Sequence, residues 1–340
     1  MTIYFVIILT AGILGYIYEK IDKDARAVMN ALFTLYFTLI IGLRDKVGVD
    51  WYNYVRMYNR FNSDPWRYDT HELLYKLVNI LGFQSDIGFG FVIFLTSAIF
   101  IMAIIKGAET AEINPYYFFA LSGGYIFVMA GVNYIRQGVA LAIMVIAFAH
   151  LLNGDKIKFF IYTLLAGLFH TSAMLLIFFI AIDLNIIFIF LGLVSLIAAI
   201  LYLPMDRYQH YITSNMESSG VYLRIGYLFI PGVYLLFNLH NCKYSPPLTK
   251  RIYLACISSP LAMILLSFIS STIADRVSYY FIVLSTLITI KTVSSSKKNL
   301  DSIMAIIIFS FSILTLFLWV MYSKYTHHYF YESHIIEWLK

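Results

Sequence analysis

The sequence predicts an all-α, polytopic integral membrane protein. Three observations predict it. Of its 340 residues 61% are hydrophobic and only 13% are charged, with a mean hydropathy of +0.78, whereas a soluble domain carries about 25% charge. Apolar runs of spanning length recur along the whole chain, and a helical span needs about 20 such residues. Lysine and arginine also sort to opposite ends of those runs. Lys20, Lys23, Lys106, Lys156, Lys158, Lys243, Lys250, Lys291, Lys297 and Lys298 fall in one set of loops, and Arg44, Arg136, Arg207, Arg224 and Arg276 at or near the other. Lysine in short loops marks the cytoplasmic side. Arginine beside His and Asp at the far ends suits a planar, multiply charged anion. No polar stretch is long enough for a separate soluble domain, so residues 1–340 read as one transmembrane domain with an external loop at 44–86.

The first run, 2–18, has no basic start and no small-residue cleavage site. It reads as a retained helix with its N-terminus outside. Further spans are expected at 25–43, 87–105, 115–131, 134–152, 186–203, 222–240, 250–272, 276–292 and 300–322. The stretch 157–182 is one tilted span or a hairpin broken near His170-Thr171-Ser172. Only the hairpin puts all the lysine loops on one side, so it is preferred. That gives about eleven or twelve transmembrane helices. Within the 44–86 loop, a helix should begin near Asp50, a suitable N-cap, and 71–82 should form a short helix along the interface. Cys242 and Cys256 have neither disulfide-framework nor metal spacing and read as free thiols.

Four constellations carry possible chemistry. In Gly42–Tyr54 a span ends in Arg44, a glycine turn follows, and Asp50 and Tyr54 would share a helix face. Asn133, Arg136 and Gln137 stand at i, i+3 and i+4 at the outer start of a span. Their alternative is a snorkelling arginine. His170 interrupts an apolar stretch, a costly placement that points to function. Its near-neutral titration suits a general base, and packing against a backbone carbonyl is the alternative. Asp275-Arg276, with Tyr279 and Tyr280 one turn on, offers an anion-and-sugar surface, with Asp275 pairing with Arg276 or capping the helix. Arg224, with Arg207 and His210, edges another outer loop. There is no Gly-rich phosphate loop, His-rich metal motif, Gly-x-Ser-x-Gly elbow or Asp-x-Asp pair. No metal and no cofactor is therefore expected, and no nucleic-acid partner.

In order, these pieces resemble the EpsG-like branch of the Wzy-type polysaccharide polymerases. That pattern runs Arg, Val-Gly-x-Asp-x-x-x-Tyr, a Glu in a later short helix, Arg-Gln, Phe-His-x-Ser and Arg-x-x-x-Tyr. Here it matches Arg44, Val47-Gly48-Val49-Asp50 with Tyr54, Glu72, Arg136-Gln137, Phe169-His170-Thr171-Ser172, and Arg276 with Tyr280. Where a Glu-Pro-Gly-like run is usual, this chain has His71-Glu72-Leu73-Leu74. The resemblance implies a polymerase of undecaprenyl-pyrophosphate-linked oligosaccharide repeats at the outer face of a bacterial inner membrane. Membrane lipid would surround it, with a chain-length regulator and a flippase as potential partners. Arg136 and Arg276 would hold the pyrophosphate, with Arg44 and Arg224 assisting. Gln137, Tyr54 and Tyr280 would line the substrate. His170, Glu72 and Asp50 are the candidate bases, with Asp50 the more suited to organising its loop. A flippase or transporter of lipid-linked sugar, an integral-membrane acyltransferase using His170, and an O-antigen ligase are the rival readings.

Overall fold

A computed structural model describes residues 2–64, 72–183, 220–239, 247–295 and 299–333. The expected span 186–203 lies outside the described residues, as do His71, Arg207, His210, Cys242, Lys243, Lys297 and Lys298. The described chain is all-helical apart from one isolated bridge between Arg44 and Ser333.

The helices follow the apolar runs. They are α1 (Thr2–Tyr18), α2 (Lys23–Gly42), α3 (Trp51–Ser63), α4 (Leu73–Gln84), α5 (Phe89–Thr110), α6 (Pro115–Ser122), α7 (Ile135–Leu152), α8 (Lys156–Phe169), α9 (Val221–Asn238), α10 (Pro247–Ile269), α11 (Ser271–Ser295) and α12 (Asn299–Tyr322). Local chemistry starts several of them. Asp22 accepts from the Ala25 N–H at 2.8 Å, Asp155 from Lys158 at 3.0 Å, and Asn114 from Tyr116 at 3.1 Å with Pro115 at the first helical position. Among the described residues six helices are long and apolar enough to cross a bilayer: α2, α5, α7, α10, α11 and α12. α1 and α9 are shorter apolar helices.

The expected span 115–131 is not one straight helix. α6 stops at Ser122, a π-type helix runs over Gly123–Asn133, and the two halves bend by 86°. Counted as one broken span they make a seventh crossing. π-type turns are rare and concentrate at functional sites. The stretch 157–182 does turn at His170. α8 ends there and a 3-10 helix, Thr171–Asp183, folds back. A Cβ on Gly167 would lie 2.5 Å from Met174, and Phe179 packs 5.9 Å from Phe148 on α7. The 44–86 loop holds the two expected helices, one starting just after Asp50 and one over the later segment. α3 and α4 pack together through Tyr54, Phe61 and Tyr75.

α7 is the axis of the bundle. Nearly all of it is buried, against α5, α8 and α11. A helix apolar on every side belongs in such a place. Between membrane helices the attraction is close packing, so small residues let backbones approach. A Cβ on Gly138 would lie 2.2 Å from the Ala130 carbonyl oxygen of the π-type helix.

The two ends of the bundle differ. At one, Lys291 Nζ donates to the Ala111 carbonyl at 2.9 Å, Asn153 Nδ2 to Thr110 at 2.9 Å and Asn114 Nδ2 to Gly15 at 2.8 Å, and Tyr253 bonds Thr292. These contacts gather the described lysine loops. At the other end lie Arg44, Glu72, Arg136, His170 and Arg276. The chain after α12 returns to this second end. The Gly48 N–H donates to His328 O at 2.7 Å and the Asp45 N–H to Glu332 O at 3.0 Å.

Candidate active site at the arginine end

Four separate elements deliver charged side chains to one place: Glu72 from the start of α4, Arg136 from the first turn of α7, His170 from the break after α8, and Arg276 from the second turn of α11. Glu72 Oε1 lies 2.7 Å from His170 Nδ1, and Oε2 accepts from Arg136 Nη1. Glu72 is 6% exposed. Burial alone would raise its pKa, but the His170 hydrogen bond and the Arg136 charge outweigh it and the net direction is down. An ionised carboxylate only accepts. His170 Nδ1 must therefore carry the proton in this bond, which leaves Nε2 as the variable atom. The Arg136 guanidinium also lies over Tyr54 and Tyr75, 5.8 Å from each ring centroid.

Arg276 sits beside this group. Its Nη1 donates to Gln137 Oε1 at 2.6 Å, Gln137 Nε2 donates back to the Arg276 carbonyl at 3.3 Å, and the guanidinium lies 4.9 Å from the Tyr134 ring centroid. Among the described residues no carboxylate lies within 4.0 Å of Arg276. It is half-buried. The Tyr280 hydroxyl shares a 2.8 Å hydrogen bond with Ser172, fixing the chain just past His170.

Several expectations change on this geometry. Asn133, Arg136 and Gln137 do not line one face. Tyr134, with φ −92° and ψ 65°, breaks the helix before Ile135, so Asn133 turns to the Asp50 N–H (3.0 Å). Arg136 reaches Glu72 and Gln137 reaches Arg276. Asp275 pairs with Arg224 rather than with its neighbour Arg276, because adjacent residues on a helix point in different directions. Both members of that pair are buried, and Arg224 Nη2 donates to the Tyr279 hydroxyl at 3.0 Å. Asp50 precedes α3 without capping it by its side chain. Instead its Oδ1 accepts from Asn53 Nδ2 at 3.1 Å.

Arg44 is 2% exposed, and its fork is taken by protein: it donates to the carbonyls of Ile41 and Val132 (2.8 Å for the latter) and to Ser97 Oγ at 3.4 Å. Desolvation lowers its pKa to about 10. It braces the end of α2 against the π-type helix. Reasoning from sequence missed Tyr134, Tyr75 and the segment after α12. A tyrosine among 28 gives no signal by type, though Tyr134 adjoins the Arg136-Gln137 pair. Among the described residues no three His, Cys, Asp or Glu side chains converge in a metal-like group. Cys256 is a buried free thiol.

An all-helical bundle that gathers Glu72, His170, Arg136 and Arg276 at one end defines a multi-pass membrane protein with a polar, arginine-bearing site. Within that class, the chain belongs to the EpsG family, whose pattern matches residues 27–333. It is thereby a membrane protein of polysaccharide biosynthesis. No curated protein and no solved structure matches the chain.

Proposed function

We propose that the protein polymerises undecaprenyl-pyrophosphate-linked oligosaccharide repeats. The growing glycan passes from its lipid carrier to the free end of a newly delivered repeat, at the outer face of a bacterial inner membrane. One observation carries this reading: a Glu72–His170 hydrogen bond clamped by Arg136, beside an Arg276 that no described carboxylate neutralises. That arrangement couples a proton acceptor to a cation free to meet a diphosphate.

The chemistry follows from it. The bond between the anomeric carbon and the pyrophosphate oxygen breaks, and its electron pair leaves with undecaprenyl pyrophosphate. An acceptor hydroxyl oxygen bonds to that carbon, and its proton goes to His170 Nε2. Glu72 holds the imidazole through Nδ1–H and stabilises the imidazolium, so it orients the base rather than acting as one. Positioned base catalysis supplies roughly 10²–10⁴-fold. Arg276 and Arg136 meet the charge that grows on the leaving diphosphate, binding it more tightly than the ground state. Arg44 and Arg224 act indirectly in this scheme, as braces held by carbonyls and by Asp275. Asp50 shapes the loop, and Tyr54 and Tyr280 position Arg136 and Ser172.

Reconstitution with one defined lipid-linked repeat tests the reading. A ladder of longer lipid-linked glycans should form, with one undecaprenyl pyrophosphate released per new linkage. In cells lacking the protein, single repeats should accumulate on the outer leaflet. Accumulation on the inner leaflet would make it a flippase, and unmodified full-length polymer would make it an acyltransferase.

A further inference from the structure

The segment after α12 is bonded along its length to the loop that opens the site. Besides the two backbone bonds at Gly48 and Asp45, Ser333 Oγ donates to Leu43 O at 2.9 Å, Ser333 bridges Arg44, and the Tyr331 hydroxyl donates to Ile40 O at 2.8 Å. This strap needs an anchor, and Tyr329 is its buried aromatic residue. It is 2% exposed, with its ring edge-on to Trp319 of α12 at 4.7 Å. Its phenol lies within electrostatic reach of Tyr134, Tyr279 and Asp50. Those two tyrosines, Tyr134 and Tyr279, carry Arg276 and Arg224 over their rings.

The loop cannot set its own shape. Gly48 adopts φ +107°, a left-handed conformation. A Cβ there would lie 2.9 Å from Asn133 Oδ1, the atom that accepts from the Asp50 N–H. The turn therefore presses on the residue just before Tyr134 and Arg136. It is held from outside by His328 and Glu332.

We infer that Tyr329 is a positioning residue of the active site. Seated on Trp319, it holds the strap that fixes the Asp45–Asp50 turn, and through that turn it sets Asn133 and the start of α3 beneath the arginines. The activity side of this inference rests on the polymerase reading, while its structural side can be read on the protein alone.

The test combines hydrogen exchange with kinetics on the full-length protein in lipid. In Tyr329→Ala the Asp45 and Gly48 amides should exchange about tenfold faster or more, as local opening becomes easier. Per folded molecule, kcat should fall roughly 10- to 100-fold, the usual result of misplacing a reacting group by about an ångström. KM for the lipid-linked repeat should stay within about threefold, because Tyr329 does not bind it. Tyr329→Phe keeps the ring on Trp319 and should restore both readouts. Wild-type exchange in Tyr329→Ala would overturn the inference, and so would wild-type kcat with fast exchange. If Tyr329→Ala fails to accumulate, Tyr331→Phe removes one strap bond without touching the anchor. The same pattern is expected there at smaller size, and unchanged exchange and kcat would again overturn the inference. A failed polymerase reading looks different: His170→Ala would then also leave the product unchanged, while the exchange result stood.

Discussion

Glu72 has both carboxylate oxygens committed, one to a base and one to a cation, and this makes the site testable residue by residue. Glu72→Gln keeps the shape but loses the charge. Polymerisation by it and by His170→Ala should each fall by about 10²–10⁴-fold, and the double variant should cost little more than either alone because the two act as a unit. Product per hour on a defined repeat checks this. The pH profile carries a sign. Glu72 titrates below the ordinary carboxylate range, so its ion pair is fully present above that range and is lost only as pH falls through the depressed value. The acid limb of activity therefore belongs to protonation of the His170 imidazole. In Glu72→Gln that limb should move to lower pH, since imidazolium loses its anionic neighbour. Arg136→Lys keeps charge but not the planar fork, and should lose most chain elongation. Near-wild-type chain lengths would remove Arg136 from the mechanism. His170, Arg136 and Arg276 were legible because ionisable groups among apolar residues are costly enough to demand a reason. The tyrosines beneath the guanidiniums were not, since an aromatic ring is at home anywhere in such a chain.

At the scale of elements, run length located the helices well because it is the physical requirement for spanning. It was blind to the break at Gly123, where hydropathy does not change while the backbone shifts from α- to π-type. The hairpin at His170 was readable only through charge parity. Pairings between helices were not readable at all, and Arg224–Asp275 shows why: the partners lie on different helices and neither sequence neighbourhood mentions the other. Both are buried, so removing one strands a charge. Arg224→Ala should destabilise by about 3–5 kcal/mol, and replacing both residues by apolar ones of similar volume should cost much less. Thermal unfolding in detergent measures the difference. Gly138→Ala places a methyl against the Ala130 carbonyl and should cost about 1–3 kcal/mol, with the start of α7, and so Arg136, displaced.

Over the whole molecule, most of the described lysines and arginines lie at opposite ends, with Arg26 near Lys23, Arg251 beside Lys250 and Lys46 near Arg44 among the exceptions. The lysine loops close on one another through Lys291, Asn153 and Asn114, while Arg44, Arg136, Arg224 and Arg276 lie at the opposite end. Cysteines placed one at a time at Lys156 and Lys250 should react with a membrane-impermeant thiol reagent from one side of the bilayer only. Cysteines at Val49 and Tyr52 should react from the other. Labelling of both sets from the same side would dissolve the two-ended arrangement. The return of the final segment onto the Arg44–Asp50 loop also bears on timing. Ribosomes deliver a chain from its beginning, so the amides of Asp45 and Gly48 emerge without their final partners, Glu332 O and His328 O, until nearly three hundred more residues have been synthesised. The Asp45–Asp50 turn can therefore take its final shape only once translation has passed Glu332.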